Sequence, residues 1–481
     1  MPTFPVSTLD KKRQLLVIGG GVGGYTAAIR AAKAGFAVTM VESGALGGTC
    51  LNVGCIPTKS LLHQAHLFRQ TESLAHFGVD LERLKPALAA VMSIKDLAVG
   101  QLVQGVKTLV KKNQITLIHG TGEFVGPRSV RIRETGAVLD PDLVVIASGS
   151  EPVIPPIPGH DLAGVITSDG AVSLKTLPKS VLIVGGGVIG AEFAQIFSDF
   201  RVKVTVVEKL DRLLAEEDPD VAAVLQASLA RRGVEFFTGA TVRQIKRENE
   251  RLLVAYTTSA GPQENAVDLV LMAVGRRPRL AALALDKAGI QLSAGAIQTD
   301  DRCRTNVPGV YAVGDACGGL LLAHKAGAEA ECAVADMAGH GWRMTGRVIP
   351  RAVYTSPEIA AVGLTETEAR KAYATLKVGK FPFSASGKAV AGGDTEGFVK
   401  VMADGQTDQI VGISMVGPDV TNLLGEATLA VQMELTLPAL MQTVHPHPTL
   451  TEALMEAAHD AYDNGAIHLM PRPVRTPGAG A

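Results

Sequence analysis

The chain is poor in cysteine and balanced in charge. It has 5 Cys in 481 residues, which is too few, and an odd number, for a secreted disulfide framework. Lys and Arg total 46 against 47 Asp and Glu, so no net basic field is available to hold nucleic acid or an anionic membrane surface. No apolar run is long enough to cross a bilayer without interruption by a charged side chain, which predicts a soluble chain.

Composition also bounds the fold class and the location. Aromatic residues are only 4%, whereas Gly is abundant at 52 residues and Val-rich runs are frequent, a mix typical of α/β layers in which helices pack closely on strands. The length is sufficient for roughly two to four domains. Residues 1–14 contain four charged side chains and no apolar core, so no secretory signal is expected and a reducing cytoplasm is the predicted location.

The sequence contains an internal repeat. Residues 15–19 (LLVIG) match residues 181–185 (VLIVG), and both copies are predicted to form a strand, a glycine loop, a helix and a second strand. Each second strand ends in an acid, Glu42 or Glu208, at the same distance of 23 residues from the first glycine of its loop (42 minus 19, 208 minus 185). The repeat therefore predicts two βαβ units with one nucleotide loop each.

Both loops have the spacing G-x-G-x-x-G, which allows a tight turn, close approach of a pyrophosphate and close helix–strand packing. The spacing alone is a weak signal, but here the strand, the helix and the terminal acid accompany it twice. The loop glycines are Gly19, Gly21 and Gly24 in the first copy and Gly185, Gly187 and Gly190 in the second.

The acids bear on which dinucleotides bind. Glu42 and Glu208 are each predicted to accept hydrogen bonds from ribose hydroxyls, and an acid there repels a 2′-phosphate, which favours NAD over NADP. Two dinucleotides in one chain imply electron transfer between them, because a flavin and a nicotinamide can exchange a hydride. The residues thus predict a flavoprotein reductase with FAD and NAD.

Two cysteines follow the first βαβ acid directly. Cys50 and Cys55 lie in the segment GTCLNVGCIPTK, just outside the strand ends where such sheets bind ligands. Their spacing allows a disulfide across a short loop, and a helix starting at Pro57 would lower a thiol pKa. A structural zinc site would need a second close pair, which the other three cysteines do not form, so no metal is expected. Two merely buried thiols remain the alternative to a redox pair.

Together with both glycine loops, this block resembles the pyridine-nucleotide disulfide oxidoreductases that use a redox-active cysteine pair, over nearly the whole chain. The segment TNVPGVYAVGD, ending at Asp315, is similar to the family's second flavin motif, in which the Asp binds the ribityl chain. Ser148 and Gly149 stand where the family has Thr-Gly, with the hydroxyl kept. The resemblance implies that Lys59 lies near the flavin ring and Glu192 near the nicotinamide. It also assigns four further residues to cofactor binding, namely Thr49, Gly120, Gly275 and Ala323.

The segment HPHPTLTE near the C-terminus matches a further family motif. Read without the family, two His separated by one residue could be a metal fragment or an ordinary loop. In the family the second His is the acid/base and the Glu five residues later orients it, which maps onto His447 and Glu452. The resemblance also implies that His447 serves the active site of the partner subunit, so that a homodimer is the functional unit.

The resemblance further implies an organisation and an activity. The predicted domains are an FAD-binding domain in residues 1–150 and 279–349, an NAD-binding domain in 151–278, a dimer-interface α+β domain in 350–470, and a flexible tail in 471–481. The implied reaction is oxidation of dihydrolipoamide, borne by the lipoyl domain of a 2-oxo acid dehydrogenase or glycine-cleavage complex, with NAD as acceptor. A glutathione-reductase-like activity and a non-catalytic flavin-carrying subunit are the alternatives.

Overall fold

The computed structural model describes residues 12–80, 85–346 and 348–470, so the predicted tail lies outside the described residues. The chain divides into two compact units. The first unit holds the chain up to Lys179 together with Gln244–Leu253 and Ala266–Gly346. The second unit holds Ser180–Arg243, Val254–Asn265 and the chain after residue 347. Within the described ranges no helix is both long and apolar enough to span a bilayer.

Strands and helices alternate within the two βαβ units, whereas residues 116–167 and 235–278 hold runs of strands with no helix between them. Strands β1–β9 span Gln14–Ile18, Ala37–Glu42, Thr116–His119, Gly122–Phe124, Val130–Ile132, Val138–Leu139, Leu143–Ile146, Ser150–Pro152 and Val165–Thr167. Strands β10–β17 span Ser180–Val184, Lys203–Val207, Glu235–Phe237, Thr241–Glu248, Arg251–Thr258, Gly261–Val267, Leu269–Met272 and Arg276–Pro278. Strands β18–β25 span Leu292–Ser293, Ala296–Ile297, Val310–Ala312, Arg351–Val353, Glu358–Gly363, Leu376–Pro382, Phe398–Asp404 and Ile410–Gly417. Helices α1–α7 span Val22–Lys33, Gly48–Asn52, Cys55–Gln70, Leu88–Lys112, Ser168–Ala171, Val188–Asp199 and Pro219–Arg231. Helices α8–α14 span Leu285–Ala288, Ala323–Met337, Glu366–Ala372, Gly387–Gly392, Val420–Gln432, Leu437–Met441 and Glu452–Asp463.

The first unit is built on a five-stranded parallel sheet in the order β20-β7-β1-β2-β3. The central strands β1 and β7 are runs of Leu, Val and Ile that are buried on both faces, as parallel strands covered by helices require. One buried cluster packs these strands against α1 and α9. Because all five strands run the same way, their carboxyl ends form one edge, where the loop after β1 and the turn after β20 both lie.

The internal repeat is confirmed in the structure. Shifting β1 and α1 by 166 residues gives the bounds of β10 and α6 (14 plus 166 is 180; 33 plus 166 is 199). In the second unit β10 pairs with β11, and β11 with β12, all in parallel. The α/β fold class with two dinucleotide-type βαβ units is therefore confirmed.

The C-terminal part of the second unit is an α+β arrangement, as predicted. Its sheet has the order β21-β22-β25-β24-β23 with every pairing antiparallel. Buried side chains of α12, α13 and α14 cover one face of this sheet in a single cluster. The carboxyl end of α13 and the start of α14 frame a loop, residues 442–451, that contains the predicted His447.

The proline-rich segment after residue 150 is less irregular than its composition predicts. Ser150–Pro152 forms β8, which pairs antiparallel with β17. Proline is tolerated there because a two-stranded ribbon has unpaired edges that need no N–H donor. Regular structure therefore extends into the first residues of this segment, Glu151 and Pro152.

A buried lysine supports the fold of the second unit. The Lys400 side chain on β24 is 2% exposed, and its ammonium lies 2.8 Å from Asp220 and 3.1 Å from both Asp218 and Glu366. Burial alone would lower the pKa of Lys400, but the hydrogen bond to Asp220 and the charges of Asp218 and Asp220 outweigh it and raise the pKa. The lysine is therefore held in its charged form.

We expect Lys400→Met to lower the free energy of unfolding by about 3–5 kcal/mol, because it leaves buried carboxylates without their cation. Lys380→Met is the matched control, since the Lys380 side chain pairs with the same Asp220 at 3.1 Å but is 41% exposed. Its expected cost is at most ~1 kcal/mol. Denaturant titration of both variants measures the two free energies of unfolding. Equal losses would contradict the claim that the buried Lys400 supports the fold more than the exposed Lys380 does.

Candidate active site

The first glycine loop leaves room at one glycine and none at the other two. At Gly19, where φ is +105°, an added Cβ would lie 2.2 Å from the carbonyl oxygen of Ala147, and at Gly24 it would lie 1.9 Å from that of Gly19. At Gly21 the nearest atom to an added Cβ is 3.7 Å away. Gly21 is the N-cap of α1, which has no side-chain cap, so the first N–H groups of the helix point to an open site suited to a phosphate.

The second loop repeats this geometry within the second unit. An added Cβ at Gly190 would lie 2.0 Å from the Gly185 carbonyl oxygen, whereas Gly187 has nothing within 4 Å. The φ and ψ of Gly187, -72° and -171°, match the -72° and -173° of Gly21. Helix α6 also begins without a side-chain cap. The two glycine loops thus have the same backbone conformation where the following helix begins.

The two strand-end acids bind the backbone of their own loops. Glu42 accepts the N–H of Gly20 at 2.5 Å, and Glu208 accepts that of Gly186 at 2.5 Å. Each carboxylate also accepts, at 2.6 Å, the N–H of the residue two positions after itself. A carboxylate has about four acceptor positions, so both keep capacity for the predicted ribose hydroxyls. Gly120 lies beside the first acid, donating its N–H to the Glu42 carbonyl at 2.9 Å.

The cysteine pair lies directly against the first loop. Gly47 donates its N–H to the Gly20 carbonyl at 2.8 Å, which fastens the start of α2 to the loop. Cys50 lies on α2, and Cys55 is the first residue of α3, two positions before the proline at which the sequence predicted that helix to begin. Both cysteine side chains are half-buried, and they are hydrogen-bonded to each other.

The surroundings of the pair hold a proton on Cys50. The hydrogen bond to Cys55, burial and the charge of Cys55 raise the pKa of Cys50, while the charge of Lys59 opposes them. Lys59 lies four residues after Cys55, on the same face of α3. The two cysteines also influence Tyr25 on α1, whose pKa is raised by burial and then by the charges of Cys50 and Cys55. When one proton is shared by the pair, Cys55 at the helix N-terminus is the better site for the negative charge.

A polar cluster connects Thr49, the residue before Cys50, to the second flavin motif. Asp315, on the turn after β20, accepts a hydrogen bond from the Ser150 hydroxyl at 2.6 Å, and Arg276 donates to the same hydroxyl at 2.9 Å. Arg276 also reaches the Thr49 hydroxyl at 3.3 Å. Sequence reasoning found Thr49 and Asp315 but missed Ser150 and Arg276. Their signal was adjacency, since each directly follows a glycine assigned to cofactor binding.

These residues fit a bound FAD. The Ser148 hydroxyl is buried and has no hydrogen-bond partner among the described residues, as expected of a group that meets a cofactor atom. An added Cβ on Gly48 would lie 2.6 Å from the Gly21 Cα, so no side chain fits at Gly48. The absence of a side chain there allows a pyrophosphate to approach the backbone closely. The second loop fits NAD because α6 begins without a side-chain cap at Gly187, where nothing lies within 4 Å of an added Cβ.

The remaining predicted cofactor residues lie at element ends or in the core. Gly149 accepts from Arg279 at 3.0 Å, and Gly275 accepts from Val153 at 2.9 Å, both through their carbonyls. Ala323 is the first residue of α9. Glu192, buried on α6, accepts the N–H of Tyr354 at 3.1 Å.

His447 and Glu452 form an exposed pair. Nδ1 of His447 lies 2.9 Å from Oε1 of Glu452, whose other oxygen accepts the N–H of Thr449 at 2.8 Å. Burial alone would raise the pKa of Glu452, but the hydrogen bonds of Thr449 and His447 outweigh it and lower the pKa. An ionised Glu452 keeps the proton on Nδ1, which leaves Nε2 of a 74% exposed side chain to act as a base.

We expect Glu208→Gln to reduce the preference for NAD over NADP about tenfold, because the amide retains an acceptor for Gly186 but no longer repels a 2′-phosphate. The ratio of kcat/KM for the two nucleotides measures this. Asp211→Asn removes an exposed charge three residues away and is the matched control. Equal shifts in both variants would show that the general field, and not Glu208, sets the preference.

Comparisons with known proteins agree with this geometry. The family model described as pyridine nucleotide-disulphide oxidoreductase matches residues 13–330, and the dimerisation domain of the same family matches residues 349–458. A dihydrolipoyl dehydrogenase of Bacillus subtilis (strain 168) is 42% identical over 447 residues, covering 92% of this chain and 97% of the relative. One from Thermus scotoductus is 42% identical over 470 residues, covering 96% and 100%.

Solved structures are similar as well. LpdA from Mycobacterium tuberculosis has a TM-score of 0.85 at 29% identity, covering 93% of this chain and 99% of that chain. The HOCl-induced flavoprotein disulfide reductase RclA from Escherichia coli, in its Cu(II) complex, has a TM-score of 0.83 at 31% identity, covering 93% and 99%. The family resemblance seen in the motifs is thus confirmed, and this chain belongs to the pyridine nucleotide-disulphide oxidoreductases, which are FAD- and pyridine-nucleotide-dependent enzymes.

Proposed function

We propose that this chain oxidises protein-bound dihydrolipoamide to lipoamide, with FAD as its resident cofactor and NAD+ as the acceptor, the activity of a dihydrolipoyl dehydrogenase. The observation that carries the proposal is the hydrogen-bonded pair Cys50 and Cys55, fastened to the first glycine loop. The names of the relatives at 42% identity support the substrate. FAD would be held by the first glycine loop, Ser148 and Asp315, and would supply two-electron transfer between the reduced cysteine pair and NAD+.

The residues of the chain carry out the thiol chemistry. Nε2 of the partner subunit's His447 removes a proton from one substrate thiol, and the thiolate attacks the Cys50 sulfur of the Cys50–Cys55 disulfide. Cys55 leaves as a thiolate. The second substrate thiol then attacks the mixed disulfide, which releases lipoamide and returns Cys50 as a thiol. One proton thus stays on Cys50 and one leaves, and the two electrons rest on the cysteine pair.

The different surroundings of Cys50 and Cys55 explain why substrate attacks the one and the other leaves as a thiolate. Cys50 keeps its proton in the reduced pair because its pKa is raised by Cys55 and by burial, and the release of lipoamide requires Cys50 to return as a thiol. Cys55 sits at the N-terminus of a 16-residue helix, which stabilises a thiolate. Glu452 holds His447 in the tautomer whose Nε2 accepts a proton.

The partners and the location are part of the same proposal. The dimerisation domain supports a homodimer in which His447 acts across the subunit boundary. The lipoyl domain of a 2-oxo acid dehydrogenase or glycine-cleavage complex is the proposed source of the substrate. A cytoplasmic location fits the shortage of cysteines for structural disulfides.

Anaerobic turnover of the purified flavoprotein tests the proposal. Dihydrolipoamide and reduced glutathione are compared as donors, each with NAD+ and NADP+ as acceptor. The expected result is rapid NAD+ reduction with dihydrolipoamide only. Turnover with glutathione and NADP+ instead would move the substrate to another disulfide, and a flavin-loaded protein inactive with every donor would favour a non-catalytic subunit.

A further inference from the structure

We infer that His445 is a positioning residue for the acid/base His447, acting by anchoring the loop of residues 442–451 to helix α12. The inference rests on the proposed function, because it presumes that His447 exchanges the substrate proton. His445 itself faces away from solvent: its side chain is only 4% exposed, against 74% for His447 two residues later.

Both ring nitrogens of His445 are engaged. Nδ1 lies 2.8 Å from the carbonyl oxygen of Thr443, and Nε2 lies 2.8 Å from Oε1 of Glu426. A carbonyl oxygen and a carboxylate oxygen both accept, so a proton on either ring nitrogen of His445 completes a hydrogen bond. A bond from Nε2 to the Glu426 carboxylate is charge-assisted, which makes it stronger than a bond between neutral groups.

The anchor point lies on a helix that packs into the core. Glu426 lies on α12 between the buried residues Leu424 and Ala427, which belong to the cluster under the antiparallel sheet. A bond from this helix to His445 therefore ties the loop to a rigid element. At this end of the loop Thr443 also donates its hydroxyl to the Ala439 carbonyl of α13 at 2.9 Å, whereas Val444 and Pro446, on either side of His445, are exposed.

The other end of the loop has its own supports. Thr449 donates its hydroxyl to the Pro446 carbonyl at 2.7 Å and its N–H to Glu452 at 2.8 Å. His447 lies between the His445 anchor and these bonds, so both sides of its backbone are held. Because an error of about 1 Å in a catalytic group can cost about 100-fold in rate, removal of one anchor is expected to lower kcat.

The test compares His445→Phe, His447→Gln and the double variant in the intact flavoprotein homodimer. Three quantities are measured: kcat and KM for dihydrolipoamide with NAD+, the rate of NADH oxidation by ferricyanide, which needs no thiol proton transfer, and the thermal midpoint. We expect His445→Phe to lower kcat about tenfold with KM changed less than about twofold and the ferricyanide rate unchanged. His445→Gln, which retains a donor toward Glu426, is expected to recover part of the loss.

The double variant separates positioning from a general structural role. If His445 acts through His447, adding His445→Phe to His447→Gln changes the rate less than about twofold, because the group being positioned is already gone. A second tenfold loss in that background, or a parallel fall of the ferricyanide rate, would overturn the inference. His160→Phe is the matched control, since His160 also bonds a backbone carbonyl, at 3.0 Å from Ile157, but no carboxylate.

The two single variants, His445→Phe and His447→Gln, distinguish this inference from the proposed function. A slow His447→Gln with a normal His445→Phe refutes the positioning role alone. A His447→Gln enzyme at full rate refutes the acid/base assignment, and the positioning role with it. Should His445→Phe lose flavin or unfold, Glu426→Gln removes the carboxylate charge at the same anchor and is expected to show the same split between kcat and KM.

Discussion

The Cys50→Ser enzyme is expected to bind flavin and to lose dihydrolipoamide oxidation by at least ~10³-fold, because the sulfur that substrate attacks is gone. NADH oxidation with ferricyanide should persist, since that reaction bypasses the pair. The fold should persist as well, because Cys50 is half-buried and a hydroxyl replaces a thiol of similar size. Steady-state rates with each acceptor, together with the flavin content, measure the effect.

Cys332→Ala is the control for loss of a sulfur elsewhere in the first unit. Cys332 is fully buried on α9 and is not a member of the cysteine pair. Its rate should stay within about twofold of the parent. A Cys50→Ser enzyme with the parent rate would refute the disulfide mechanism.

The second large effect is expected at His447. Removal of a general acid/base costs typically 10²–10⁴-fold, so His447→Gln should lower kcat with dihydrolipoamide by about that factor. Glu452→Gln should cost less, about tenfold, because His447 keeps its ring and loses only the carboxylate that fixes its tautomer. The ferricyanide rate should be unchanged in both variants. The order of the two losses is the informative outcome: a greater loss in Glu452→Gln than in His447→Gln would mean that Glu452, and not His447, is the proton carrier.

Sequence alone anticipates the parts of this molecule that depend on local pattern. Strand β1, the glycine loop and α1 are encoded in adjacent residues, and the same pattern shifted by 166 positions predicts β10 and α6 with matching bounds. The Cys50 and Cys55 spacing is local too, so it pointed to a redox pair before any geometry was known.

Partners distant in the chain could not be predicted this way. Ser150 contacts Asp315, 165 positions away, and Lys400 contacts Asp218 in the core of the second unit. Tertiary packing, and not sequence spacing, decides which of these residues are neighbours. His445 is similar: the family resemblance implied the role of His447, but the anchor at Glu426 lies 19 positions away on helix α12. The strand-end acids are a further example, since Glu42 and Glu208 each accept a backbone N–H of their own loop, which the predicted bonds to ribose hydroxyls did not anticipate.

The most direct test of the account is thiol counting during a single half-reaction. The oxidised flavoprotein is mixed anaerobically with dihydrolipoamide in the absence of NAD+, the thiols are alkylated, and the labelled positions are read by mass spectrometry. We predict that both Cys50 and Cys55 gain label as lipoamide forms, while Cys303, Cys317 and Cys332 are unchanged. Formation of lipoamide without new label at Cys50 would contradict the central claim that this pair receives the electrons of the substrate.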